Sequence, residues 1–141
     1  MILSWIFLTL FGCVTGAQER EDDVPRELSP CPDSPNCVST RSKDPGRAMP
    51  PLPYVGARQE SMERLLQVLR GTKRSTLVLT NPTYLRVEFR SALFGFVDDA
   101  EFLFDDTERQ IHFRSGSRTG YYDFGVNRHR MKELSKSYRG D

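Results

Sequence analysis

The sequence predicts an α+β domain: an antiparallel β-meander of about four strands with two helices packed on one face, preceded by an irregular N-terminal segment closed by a disulfide. Three observations predict it. Apolar residues recur at helical spacing in two places, one on each side of a block that alternates with period two. Turn residues divide that block into four runs. Two cysteines, Cys31 and Cys37, bracket a short loop that contains Pro32 and Pro35.

The chain opens on an apolar run, Met1-Ile-Leu-Ser-Trp-Ile-Phe-Leu-Thr-Leu-Phe-Gly12, closed by Cys13. A helix needs roughly 20 residues to cross a hydrocarbon core. This run is shorter and fits the hydrophobic region of an export signal. In one processing scheme Leu10-Phe11-Gly12-Cys13 is a lipoprotein box and Cys13 is acylated. In another, Thr15-Gly16-Ala17 precedes a secretory cleavage and the mature chain starts at Gln18. An uncleaved anchor is a third. Against the first two, no Lys or Arg precedes the run, and Phe11 is large for its place in the box. The expected location is the bacterial cell envelope, as a periplasm-facing lipoprotein held to the membrane by its lipid anchor or, alternatively, as a secreted periplasmic protein. Residues 1–13 are then leader, 14–30 a flexible acidic tether, and 31–141 one domain.

The tether, with Gln18-Glu-Arg-Glu-Asp-Asp-Val-Pro-Arg-Glu-Leu28, has too little apolar surface to offset the entropy of ordering it. Net charge is close to zero at +1, and no nucleic-acid partner is expected. The sum hides a split, because the C-terminal part is basic. Such a patch suits anionic headgroups or acidic polymers, and equally suits plain solvation.

Cys31 and Cys37 pair as a structural disulfide in an oxidising compartment. A metal site wants further ligands at set spacings, and only His112 and His129 are on offer, both remote. Closing so short a loop contributes about 2–3 kcal/mol by chain entropy. Beyond Cys37, Pro45, Pro50, Pro51 and Pro53 mark irregular chain lying across the domain surface. Met62, Leu65, Leu66 and Leu69 then share one helical face, and Gly71 ends it. Strand runs follow at 76–80, 84–90, 94–105 and 111–118. A second helix spans 127–138, with Asn127 as N-cap and Met131, Leu134 and Tyr138 inward.

Alternation puts Leu77, Leu79, Leu85, Val87, Phe89, Phe94 and Phe96 on the same sheet face as Phe102, Phe104, Ile111 and Phe113. The helices cover that face. Pairing Phe102 with Phe113 and Phe104 with Ile111 sets Glu101 opposite Arg114. Asp99 then falls opposite Gly116, diagonal to Arg114 and Arg118. The outer face carries a carboxylate–guanidinium ladder, which either fixes register or holds an anion with its arginines. Asp98 falls on the aromatic face opposite Ser117, where a carboxylate must find a hydrogen bond.

The segment Arg114-Ser-Gly-Ser-Arg-Thr-Gly-Tyr-Tyr-Asp-Phe-Gly-Val-Asn-Arg128 is rich in small residues and leads into a helix N-terminus, which favours negative charge. Ser115, Ser117, Asp123, Asn127 and Arg128 therefore join Asp98, Asp99, Glu101, Arg114 and Arg118 as candidate ligand-binding residues. No residue is assigned a catalytic role. His112, on the polar sheet face, and His129 read as surface residues. Metal binding by the carboxylates is opposed by the neighbouring arginines, and nothing in the chain calls for a cofactor.

Four segments carry a resemblance: Cys31-Pro-Asp-Ser-Pro-Asn-Cys-Val-Ser39, Phe94-Gly-Phe-Val-Asp-Asp-Ala-Glu-Phe102, Arg114-Ser-Gly-Ser-Arg-Thr-Gly120 and Asp123-Phe-Gly-Val-Asn-Arg128. In this order they resemble the domain of unknown function 1499 family, found in bacteria and plastids. Gly116 departs from the family pattern, which has Ala there. The resemblance implies that the Asp/Asp/Glu and Arg/Ser/Arg strands are family features, and it implies no activity.

The expected function is that of a non-catalytic binding or accessory protein using this polar face. The partner would be an anionic lipid, a cell-wall fragment or another envelope protein. The alternatives are a small hydrolase or transferase using Asp98, Asp99 or Glu101 as acid or base, and a purely structural subunit. In the binding case, Arg114→Ala and Arg118→Ala are expected to leave the melting midpoint nearly unchanged.

Overall fold

Period-two alternation becomes one antiparallel sheet in the computed structural model, which describes residues 25–141. The leader, Cys13 and most of the expected tether lie outside the described residues. The strands are β1 Cys37–Ser39, β2 Leu52–Pro53, β3 Ser75–Asn81, β4 Tyr84–Arg90, β5 Val97–Asp105 and β6 Gln110–Ser117. Their order is β1-β6-β5-β4-β3, and β2 also pairs with β6. Helix α1, Arg58–Gly71, precedes the meander and α2, Val126–Arg139, follows it. The α+β class is as expected, with two short strands added.

The inner-face aromatics set the register. Phe102 faces Phe113, Phe104 faces Ile111 and Glu101 faces Arg114. On the other side of β5, Leu85 faces Phe102 and Val87 faces Ala100. Leu65 and Leu69 of α1, with Met131, Leu134 and Tyr138 of α2, close over this face to form the core. Burying each such side chain is worth about 1.5–3 kcal/mol. Tyr138 also donates its hydroxyl to the Pro53 carbonyl at 3.1 Å, so α2 is fixed to β2 as well as to the sheet.

Four residues predicted for the core face, Phe94, Phe96, Leu77 and Leu79, are not core. Phe94 and Phe96 are exposed because β5 starts only at Val97. Before it, a turn through Gly95, at φ 66°, brings the Ser91 amide to the Phe96 carbonyl at 2.9 Å. Leu77 keeps its place opposite Val87 but is exposed on the edge strand β3, and a register shift after it sets Leu79 opposite the outward Arg86.

The proline-containing stretch does more than lie across the surface. It sends Met49 and Leu52 into the core, and its β2 joins β1 along the edge of β6 that the meander leaves open. Covering that edge removes an aggregation template. His112 is consequently buried, not a surface residue: its Nδ1 lies 3.1 Å from Thr40 Oγ1, and its Nε2 lies 2.6 Å from Glu108.

The Cys31–Cys37 disulfide is formed. It lies over Gly116 on the outer face, where an added Cβ would come within 3.1 Å of Cys37 Sγ. A methyl group here, as in the family pattern, needs the disulfide to give by a few tenths of an ångström. The second helix begins differently from expectation: its N-cap is Gly125, at φ 76°, and Asn127 is already inside the helix. Asp123 supplies the cap, accepting from the amides of Gly125 at 2.9 Å and Asn127 at 3.0 Å.

Candidate functional site

Strand pleating sends adjacent residues to opposite faces, so the candidate residues separate into two clusters. Asp98, Ser115 and Ser117 turn toward the helices. Asp99, Glu101 and Arg114 turn outward.

The helix-side cluster is built around Asn127, which is fully buried. Its Oδ1 accepts from Ser115 Oγ at 2.6 Å and from an Arg130 nitrogen at 3.1 Å. Its Nδ2 donates to Ser117 Oγ at 3.0 Å, to Asp123 Oδ2 at 2.9 Å and to the Asn36 carbonyl at 3.3 Å. The strand end, the helix start and the disulfide loop therefore meet at one amide. Asp98 finds its partner in Arg130, at 2.6 Å, whose guanidinium also stacks on the Phe89 ring, 4.6 Å from its centroid. Arg128 donates to the carbonyls of Gly46 and Ala48 and pins the proline-containing stretch. Burial pushes the Asp123 carboxyl up, but its hydrogen bonds from Asn127 and Gly125 outweigh that and leave it below the usual carboxylate range. The helix N-terminus, read from sequence as a place for a bound anion, is thus occupied by the protein's own carboxylate.

The outer cluster is arranged differently. Glu101 lies between Arg86 of β4 and Arg114 of β6. Its Oε1 accepts three bonds: from the Tyr84 hydroxyl at 2.7 Å, the Ser29 hydroxyl at 3.0 Å and the Ser29 amide at 3.4 Å. Among the described residues its Oε2 accepts no hydrogen bond and Arg114 Nε donates none, although both atoms are buried. The two side chains approach to 3.5 Å as an ion pair, only 6% exposed at Glu101 and 15% at Arg114. Burial, and then the bond to Glu101, push the Tyr84 phenol well above the usual tyrosine range, so it stays a donor.

Beside this pair, Arg118 holds Asp99 through two bonds of 2.6 and 2.7 Å and Glu88 through one of 2.5 Å, at a more exposed position. Arg86 makes no ion pair among the described residues. Ser29, Arg86, Asp99, Glu101, Arg114 and Arg118 enclose a cleft of about 310 Å³. Its lining holds three guanidinium groups against two carboxylates, a local excess of one positive charge. The expected neutrality of Arg114→Ala is therefore revised: removing this guanidinium strands a buried carboxylate, and breaking a buried pair costs about 3–5 kcal/mol. Arg118 is 46% exposed, where an ion pair contributes about 0–1 kcal/mol.

Sequence reasoning did not name Ser29, Tyr84, Arg86, Asn36 or Arg130 as site residues. Tyr84 and Arg86 were legible in principle, since they alternate with Leu85 and Val87 and so share the outer face. Arg130 follows Asn127 by one helical turn. Ser29 and Asn36 lie in irregular chain with no period to read.

A third cluster, Asp105, Glu108 and His112, brings three ligand-type atoms within 4.8 Å of one another. Arg41 already bridges the two carboxylates, at 3.2 and 3.4 Å. The Asp105 carboxyl is held low first by the Glu108 amide, against the effect of burial, then by the Thr107 amide and the Arg41 charge. The cluster locks the β5–β6 turn to the chain following β1.

The chain belongs to the family described as protein of unknown function (DUF1499), whose model matches residues 27–137. The match spans both clusters and includes Ser29. No curated protein and no solved structure matches the chain.

Proposed function

We propose that this is a non-catalytic binding or accessory domain of the cell envelope, and that its outer cleft receives a polar group carrying an anionic moiety beside a hydroxyl or amine. The supporting observation is that Glu101 Oε2 and Arg114 Nε, both buried at the cleft, make no hydrogen bond among the described residues. Leaving such groups unpaired costs about 1–3 kcal/mol each. A ligand that donates to one and accepts from the other recovers that cost, and charge-assisted bonds are the stronger kind. Arg86 and the net positive lining favour the anionic part. A lipid headgroup, a cell-wall fragment and a partner protein's side chain all present such chemistry.

Calorimetric titration of the full chain with glycerol phosphate, lactate and glutamate tests the reading. We expect saturable binding of at least one probe, lost in Glu101→Gln and kept in Arg118→Lys. Absence of binding by all three favours the purely structural alternative. The hydrolase or transferase alternative is weakened because Asp98, Asp99 and Glu101 are each paired with an arginine. Envelope anchoring is tested separately by labelling cells with a palmitate analogue. Loss of label in Cys13→Ser supports acylation, and equal labelling removes it.

A further inference from the structure

The end of the sheet where β4 passes to β5 and β6 leaves for α2 is the most apolar surface of the described residues. Leu93, Phe94 and Phe96 project from the first loop, with Leu93 80% exposed. Tyr121, Tyr122 and Phe124 project from the second, with Phe124 86% exposed. The Arg118 amide bonds to the Val97 carbonyl at 3.0 Å, so the two loops leave the same end of adjacent strands. Rings pair within each loop, Phe94 with Phe96 at 5.6 Å and Tyr122 with Phe124 edge-on at 5.1 Å. The result is two convex apolar knobs. Phe124 has a φ of 55°, a conformation that is costly for a bulky residue, yet its ring reaches solvent. Exposed aromatic clusters of this kind mark interaction surfaces.

Charge around the knobs indicates what they meet. Lys73 and Arg74 follow α1 at the same end, Arg74 donating to the Arg90 carbonyl at 3.1 Å, and neither makes an ion pair among the described residues. The neighbouring carboxylates are all engaged: Glu88 and Asp99 by Arg118, Asp98 by Arg130, and Asp123 by backbone amides. Asp123 keeps its charge although its bonds are made, so Lys73 and Arg74 leave the rim positive by one. Aromatic and leucine side chains on protruding tips, with a basic rim behind them, complement an anionic bilayer: rings enter the headgroup and acyl boundary while the cations meet phosphate. We propose that these two loops dock the domain on an anionic lipid surface, independently of any ligand in the outer cleft and of any acyl anchor.

The six strands and the core of the described residues form one sheet and its helical cover, so residues 25–141 can be tested beside the full chain carrying Cys13→Ser. Co-sedimentation would use vesicles of pure phosphatidylcholine and vesicles containing phosphatidylglycerol. We expect partition onto the anionic vesicles about tenfold or more above neutral ones, with Lys73→Gln/Arg74→Gln removing most of that preference. Leu93→Ser/Phe94→Ser/Phe124→Ser should abolish binding at unchanged near-ultraviolet circular dichroism, since these side chains contribute little to the core. Equal partition onto neutral and anionic vesicles overturns the proposal. So does an absence of vesicle binding with a concentration-dependent dimer that the triple variant dissolves, which would assign the knobs to a second copy of this chain.

Discussion

Asp98 and Asp99 are neighbours on one strand, and so are Arg114 and Ser115, yet the two faces they define have opposite characters. On the helix side, the Asn127 amide is satisfied from both ends, and Asp98 is matched by Arg130. On the outer side, Glu101 and Arg114 are also largely buried, and each leaves a polar atom without a hydrogen bond among the described residues. Burial of polar groups therefore does not by itself identify a site. A saturated network specifies a structure, whereas an incomplete one in a cleft has room for something else.

Substitutions can break this contrast, beginning with the largest effect. Asn127→Ala strands Ser115, Arg130 and the Asn36 carbonyl together; it should lower unfolding free energy by about 3–5 kcal/mol, measured in urea, with no ligand able to restore it. Arg114→Ala should cost about 3 kcal/mol, the low end for a buried pair because Glu101 keeps its bonds from Tyr84 and Ser29. Unlike the first variant, it should also lose probe binding at temperatures where it remains folded. If both variants lose only stability, the two faces are alike and the contrast fails.

Asp123→Asn sharpens the comparison through pH. The folded-state carboxyl of Asp123 lies below its unfolded value, so its contribution is complete above the ordinary carboxylate range and disappears as pH falls through that range toward the folded value. The variant should lose about 1 kcal/mol at neutral pH, as a weakened helix cap does, and show a flatter decline in stability between about pH 5 and pH 3. The smallest effect belongs to Arg118→Ala, on the exposed part of the outer face. Its loss should stay below about 1 kcal/mol and shrink further in high salt, as thermal melts would show.

Much of this was readable from the chain. Aromatic alternation on β5 and β6 is strict, and because a slip of one residue would turn Phe102 and Phe113 to solvent, it determines the register and hence the Glu101–Arg114 meeting. Both long helices follow from their apolar spacing. What escaped has physical reasons. Strands of three and two residues, β1 and β2, are too short to show a period, so their cover over β6 and the burial of His112 were not visible. Phe94 and Phe96 continue the alternation numerically, but Gly95 turns the chain before pairing begins. The cap at Asp123 was hidden because Gly125 adopts a left-handed conformation and starts the helix later than an Asp N-cap would. Which atoms of the outer cluster lack partners depends on Ser29 and Tyr84 reaching the same oxygen of Glu101, which no pattern in the chain announces.

The guanidinium of Arg114 offers the most direct observation. Its Nε–H can be followed by ¹⁵N-resolved NMR while glycerol phosphate, lactate and glutamate are added to the intact protein. The account predicts a saturable shift of this resonance with at least one probe, together with the amides around Glu101, while the side-chain signals of Asn127 stay in place. An Arg114 Nε–H signal unmoved by every probe, or a shift matched at Asn127, would contradict it.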